Sequence, residues 1–232
     1  MNISLQGFYD SLFKENQWIN YLEGLKTTLI ISLVATLMGI AIGLVIAVIK
    51  HKYTEEKKEK SVGWVLRILN ALANVYTTVI RGTPVLLQLL ILYAVAINGG
   101  IEAAMVGFGI NSGAYVSEIF RAGLNSVDIG QTEAGRSLGL SANQTMLKIV
   151  IPQAFKNIVP SLFNEFISLI KETSVAGSIA VVELTKIAER GKSKTLLIEP
   201  LFIAAFLYLV VVIGLTQVQK LLERRLAKSD RN

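Results

Sequence analysis

Charged and amide side chains stand inside the apolar stretches of this 232-residue chain. A charge there is costly unless it is paired or put to use. Arg81 lies beside Gly82-Thr83-Pro84, in the middle of one stretch. Asn111, Tyr115 and Glu118 interrupt a second; Asn164, Glu165 and Ser168 interrupt a third. Asn111, Tyr115 and Glu118 recur at i, i+4 and i+7 and share one helix face, as do Asn164 and Ser168 at i, i+4. Gln88 lies one turn beyond Pro84. Two kinds of chemistry fit this set. A guanidinium and two carboxylates in one layer neutralise one another and lock helices together. Alternatively, the same faces supply carboxylate, amide and hydroxyl groups to a polar zwitterion passing between them. On that second reading the candidate substrate contacts are Arg81, Gln88, Tyr115, Glu118, Asn164 and Ser168.

Composition excludes most other chemistry. There is no cysteine, so disulfides, thiol nucleophiles and thiolate metal sites are ruled out. The one histidine, His51, sits in a charged run, which leaves no Ser-His arrangement and no multi-His metal site. No GxxxxGK[ST] phosphate loop is present, so ATP hydrolysis by this chain is not expected. An intramembrane hydrolase is disfavoured on the same grounds. The net charge is +6. Its basic residues collect beside apolar spans, the pattern of membrane topology and not of nucleic-acid binding.

The elements that position these groups read as membrane helices. Hydrophobic residues make up 52% of the chain and charged residues 17%, against roughly 25% charged in soluble domains; mean hydropathy is +0.53. Residues 1–21 form an amphipathic interfacial segment with Trp18 and Tyr21 at headgroup level, and no removable signal peptide is expected. Residues 22–220 form the transmembrane domain. Its spans are predicted at about 22–49, 69–97, 101–123, 157–182 and 201–218, each long enough to cross a bilayer. Gly39 and Gly43 make a GxxxG pair suited to close helix contact. Pro84 should kink or break the second span. Lys50 to Lys60 is predicted as a solvated loop, Glu183 to Lys194 as a polar loop, and 221–232 as a basic cytoplasmic tail with Arg224, Arg225, Lys228 and Arg231. The loop after span one, the region 126–153 and the tail are basic and fall on one side, which makes that side cytoplasmic and the N-terminus external. Lys186, Arg190, Lys192 and Lys194 run against this rule. At about 1.5 Å rise per residue, Arg81, Glu118 and Glu165 then lie in one layer on the cytoplasmic side of the midplane.

One stretch is neither span nor simple loop: Gln131 to Pro152, QTEAGRSLGLSANQTMLKIVIP. A first short helix runs to Ser137, with Glu133 in its opening turn where the dipole favours an anion. Gly139 suits the left-handed residue that ends it. Ser141 followed by Gln144 is a capping box for a second helix, and Pro152 allows a new helix to begin. A punctuated helix–turn–helix among apolar spans reads as a docking surface for a soluble partner.

Glu133-Ala134-Gly135, then Gly139, then nine residues to Ile149-Val150-Ile151-Pro152, resembles the EAA signature of permease subunits of ATP-driven (ABC) importers. It departs at Gly135, where that pattern has alanine, and at Ile151, where it has leucine. RGTPVLLQL, GAYVSEIFRAG and NEFISLIKETS resemble the polar amino-acid branch of the same family. The resemblance implies an all-α membrane protein with the five-transmembrane-helix core of type I importer permeases, N-terminus outside and C-terminus cytoplasmic. It implies a multi-pass subunit of the bacterial cytoplasmic (inner) membrane that is not itself an enzyme. Its implied partners are ATP-binding cassette ATPase subunits, which bind ATP and Mg; a second permease subunit, a homodimer being favoured over a heterodimer; an extracytoplasmic solute-binding protein; and the lipid bilayer. No cofactor or metal is expected in this chain, and no nucleic acid. Glu133, Ala134, Gly135, Gly139, Ile149 and Pro152 carry over as the ATPase-coupling positions. The expected substrate is a basic or other polar L-amino acid: arginine, lysine or histidine, then glutamine. The competing reading is a membrane channel or scaffold without ATP coupling.

Overall fold

A computed structural model describes residues 3–58 and 60–228, and every described element is helical. Helix α1 (Leu5–Phe13) is capped by Ser4, whose hydroxyl accepts from Gly7 N. A 3-10 turn at Lys14–Asn16, with Glu15 and Asn16 at positive φ, leads into α2 (Gln17–Lys58). α3 (Trp64–Gly82) and α4 (Val85–Val95) flank Thr83-Pro84. α5 (Gly100–Asn125) precedes α6 (Ile129–Ser137). α7 (Ala142–Thr145), a π segment (Met146–Val150) and α8 (Ile151–Glu172) run on without a break in helical dihedrals. A 3-10 stretch, Thr173–Ile179, leads to α9 (Leu184–Thr195), and α10 (Glu199–Lys228) follows.

Helix α5 is the axis of the bundle. It packs along α2 and also meets α3, α4 and α8, while α10 lies on α8 and α9. The predicted glycine contact is present. A Cβ on Gly39 would sit 2.7 Å from Ser112 Oγ, and one on Gly43 would sit 2.5 Å from Val116 Cγ1. Lipid tails are as apolar as leucine, so within the bilayer such close packing, and not dehydration, holds helices together. Ile31 and Ala35 of α2, Leu89 of α4, Phe108 of α5 and Leu169 of α8 form one buried cluster. A second cluster joins Tyr21, Leu184, Ala188, Ile203 and Ala204 at the end of the bundle that carries α1 and α9.

Several local expectations are corrected. No structural boundary falls between residues 21 and 22, because α2 begins at Gln17 and carries the charge run to Lys58 as helix. Charged residues at i, i+3 and i+4 support that extension, with Lys58–Glu55 at 2.7 Å and Lys52–Glu56 at 3.8 Å. The segment predicted as a polar loop at Glu183–Lys194 is α9, with Glu183 as its N-cap. The basic tail continues α10 as helix to Lys228; Arg231 lies outside the described residues, as do Met1 and Asn2. At Pro84 the expected break is present, the helix pair on either side being bent by 108°. Pro152 does not restart a helix. It rides within a continuous one, preceded by the π segment in which Ile151 N donates to Met146 O. The wider π turn makes room for a ring that carries no N–H. Two helical stretches, 5–58 and 199–227, are long and apolar enough to cross a membrane, and the bent α3–α4 pair qualifies jointly.

Candidate functional site

The stretch from 126 to 153 is built by local capping. Asp128 Oδ1 accepts from Gly130 N at 2.7 Å, so α6 starts at Ile129. Glu133 is therefore exposed in mid-helix and not in the opening turn expected for it. Ala134 is exposed beside it. Gly139 has φ +82°; its N–H bonds Arg136 O at 3.0 Å, and Leu140 N bonds Gly135 O at 3.2 Å. Those two bonds define a Schellman stop. The capping box is present in both directions: Gln144 N donates to Ser141 Oγ and Ser141 N to Gln144 Oε1. Gly135 is buried, and a Cβ there would meet Ile149 Cδ1 at 2.8 Å and Thr145 Cγ2 at 2.9 Å. The glycine that departs from the motif thus lets α6 lie directly on the π segment. Ile149 is half-buried in that contact, and Pro152 is exposed in the first turn of α8.

The polar layer is arranged differently from the expectation. Arg81, in the last turn of α3, sits over the Tyr115 ring at 5.5 Å. This is a cation–π contact, and no ion pair holds Arg81 among the described residues. Glu118 bonds Arg121 at 2.7 Å and faces Lys50 at 3.6 Å. Lys50 Nζ also donates to Thr77 Oγ1 at 3.0 Å, so one group joins α2, α3 and α5. Glu165 accepts from Ser112 Oγ at 2.8 Å. No ion pair joins Arg81 to Glu118 or Glu165 among the described residues: helical register gives Glu118 to Arg121, while packing between helices gives Glu165 to Ser112 and Arg81 to Tyr115. Lys50 and Arg121 were not singled out by sequence. The signal was there for Arg121, three residues from Glu118, but Lys50 is reached only across the bundle.

Gln88 turns out to mend the break at Pro84. Its amide nitrogen donates to Ile80 O, Thr83 O and Thr83 Oγ1, at 2.8, 3.1 and 2.9 Å, and its oxygen accepts from Asn111 Nδ2 at 3.0 Å. Carbonyls freed by the proline are satisfied in this way. Tyr115, Glu118 and Glu165 do come together, lining a cleft of about 420 Å³ with Ser126, Asn157 and Ser161. Arg81, Gln88, Asn164 and Ser168 do not line it.

Comparison with known proteins places the chain in a class. Residues 62–228 match the family described as binding-protein-dependent transport system inner membrane component, and the chain belongs to that family. It is a membrane component of a transport system and not an enzyme. The arginine transport system permease protein of Bacillus subtilis is 38% identical, covering 90% of this chain and 93% of the relative. The L-cystine transport system permease protein of the same organism is 35% identical over 93% and 90%. A chain from the crystal structure of an amino acid ABC transporter with histidines superposes at a TM-score of 0.83, with 35% identity, covering 97% of this chain and all of that one.

Proposed function

We propose that this protein is the permease subunit of an ATP-driven importer of polar amino acids. On this reading α2, the α3–α4 pair, α5, the continuous helix 142–172 and α10 are the five spans. The 126–153 stretch faces the cytoplasm and the N-terminus lies outside, in the inner membrane of a bacterium. The observation that carries the proposal is the 126–153 stretch itself. It is capped at both ends of α6 and at the start of α7 and presents Glu133 and Ala134 outward, as a surface built to meet a soluble ATPase would. ATP closure of that partner displaces the stretch as a rigid body and swings the spans between inward- and outward-facing states. The ATP-bound partner must favour one of those states over the other. The second permease is most simply another copy of this chain, and a solute-binding protein delivers the amino acid. ATP and Mg bind the ATPase and not this chain.

The substrate class rests on the cleft between Tyr115, Glu118 and Glu165. Lys50 and Arg121 already occupy Glu118, so Glu165 is the carboxylate with the weaker internal competition, facing one hydroxyl. It suits an ammonium or a cationic side chain, while Arg81 suits a carboxylate. A basic or other polar L-amino acid fits both. The test is a reconstituted complex carrying Glu133→Ala with Gly139→Val. Substrate-stimulated ATP hydrolysis should be abolished; transport that persisted without the ATPase would end the importer reading. Uptake competed by arginine, glutamine and glutamate reads the substrate, and strongest competition by glutamate would exclude a basic preference. Co-purification of two differently tagged copies tests the homodimer.

A further inference from the structure

A second cleft, about twice the volume of the one lined by Glu118, lies elsewhere in the bundle. It has a volume of about 840 Å³ and opens between α2, the end of α5 and the π segment with α8. Its walls and its mouth differ in character. Leu44 and Val48 of α2 and Phe155 of α8 line it while remaining 47%, 57% and 54% exposed. Phe120 and Ile158 complete the apolar wall. At the mouth stand His51, Lys52 and Arg136, with Glu55 as the one carboxylate. Glu55 is already matched by Lys58 at 2.7 Å. Lys52 is held only loosely, by Glu56 at 3.8 Å. Arg136 gives one N–H to Leu140 O and keeps the rest of its fork free of ion pairs among the described residues.

The vertical order of these groups matches half a bilayer. From Leu44 to Lys52 the helix climbs about 12 Å. That is enough to pass from the hydrocarbon region into the headgroups. Leu44 and Val48 end the apolar span, and Lys52 begins the charged run. An apolar wall topped by one loosely paired lysine and one arginine without an ion pair among the described residues is complementary to a lipid with a negative headgroup. A soluble anion would leave the wall wet, and a zwitterionic lipid would bring an ammonium of its own beside the two cations. We propose that this cleft binds one anionic phospholipid, its phosphate between Lys52 and Arg136 and an acyl chain along Leu44, Val48 and Phe155. The leaflet assigned to it rests on the topology proposed above; the recognition rests on the cleft alone. Because Arg136 belongs to α6, the lipid touches the coupling element directly.

Fluorescence quenching reads this contact without any transport assay. The full-length chain would carry Trp18→Phe, Trp64→Phe and Phe155→Trp, and be placed in vesicles of phosphatidylcholine containing acyl-brominated lipid. Brominated phosphatidylglycerol is expected to quench more strongly than brominated phosphatidylcholine at the same mole fraction. Lys52→Gln and Arg136→Gln should each lower that preference, by up to about fivefold. Equal quenching by both lipids, unchanged in the variants, would overturn headgroup recognition. No quenching by either would mean that protein, such as a second copy of this chain, fills the cleft, and would overturn the lipid itself. Both leaflets carry brominated lipid, so a reversed topology would leave the expected result intact and the two readings separable.

Discussion

The two ends of this bundle are held together by opposite means. At the end with α1 and α9, contacts join residues far apart in sequence. Ser4 N donates to Glu199 Oε1 at 3.0 Å, across 195 positions. Glu183, fully buried, accepts from Thr185 N and Lys186 N at 2.7 Å each and from Tyr208 OH at 3.0 Å. Leu184 N reaches Thr28 Oγ1, and Lys194 pairs with Glu15 at 2.8 Å. At the other end, the 126–153 stretch satisfies its caps mainly from within: Asp128 with Gly130, Ser141 with Gln144, Arg136 with Leu140. Asn157–Ser126 and Gln153–Gln131 tether it to the start of α8. One end is a frame whose two buried glutamates, Glu183 and Glu199, are engaged by its own fold. The other is a self-contained element whose outer face is left for something else.

Substitutions can break that contrast, the strongest first. Gly135→Leu forces a side chain into Ile149 and Thr145. Overpacking of this kind costs about 1–3 kcal/mol, and if it displaces α6, coupled ATP hydrolysis falls roughly ten- to hundredfold. Displacement of α6 relieves most of that strain, so unfolding of the rest of the bundle should shift by less than this cost, and a large loss of stability with coupling intact would reverse the assignment. Glu183→Ala should do the opposite. It removes an N-cap and leaves buried donors unpaired, at about 1–3 kcal/mol of stability, measured by unfolding in detergent. If it left stability unchanged and uncoupled ATP hydrolysis instead, the frame would not be a frame.

Glu183 also adds a pH signature. Burial pushes its carboxyl above the ordinary 4.5, against the bonds from Thr185, Lys186 and Tyr208. A raised folded-state value means that protonation favours the folded form. This contribution is complete below pH 4.5 and fades as pH rises through the raised value. Unfolding of Glu183→Gln followed against pH should lack that decline; a decline equal to wild type would assign it elsewhere. Smaller still, Glu199→Ala should free Ser4 and loosen α1, seen as faster amide exchange over Leu5–Phe13 with the rest unchanged. Lys194→Ala removes an exposed ion pair and should alter nothing measurable.

What sequence could and could not show follows the same division. The local punctuation of the 126–153 stretch was legible, Gly139 as a left-handed stop and Ser141 with Gln144 as a capping box, and so was Pro84 as a break. Each of those signals acts within a few residues. The frame was not legible, because a glutamate in a polar run gives no sign that Tyr208 and the start of α9 will enclose it. Glu183–Lys194 therefore read as a loop. Lys50 looked like the first residue of a solvated run and instead reaches Thr77 and Glu118 across the bundle. The face of Asn111, Tyr115 and Glu118 was correct as a face. Glu118 pairs with Arg121 and Lys50 and not with Arg81, and Gln88 is consumed in closing the Pro84 break and holds Asn111 with it.

The absence of cysteine in this chain allows the contrast to be tested in one experiment. Single cysteines replacing Glu133 on α6 and Lys192 on α9 would be cross-linked in membranes that contain the ATPase. The account predicts that Glu133→Cys joins the ATPase, with a yield that changes on adding ATP, while Lys192→Cys does not. A cross-link from Lys192→Cys and none from Glu133→Cys would contradict it.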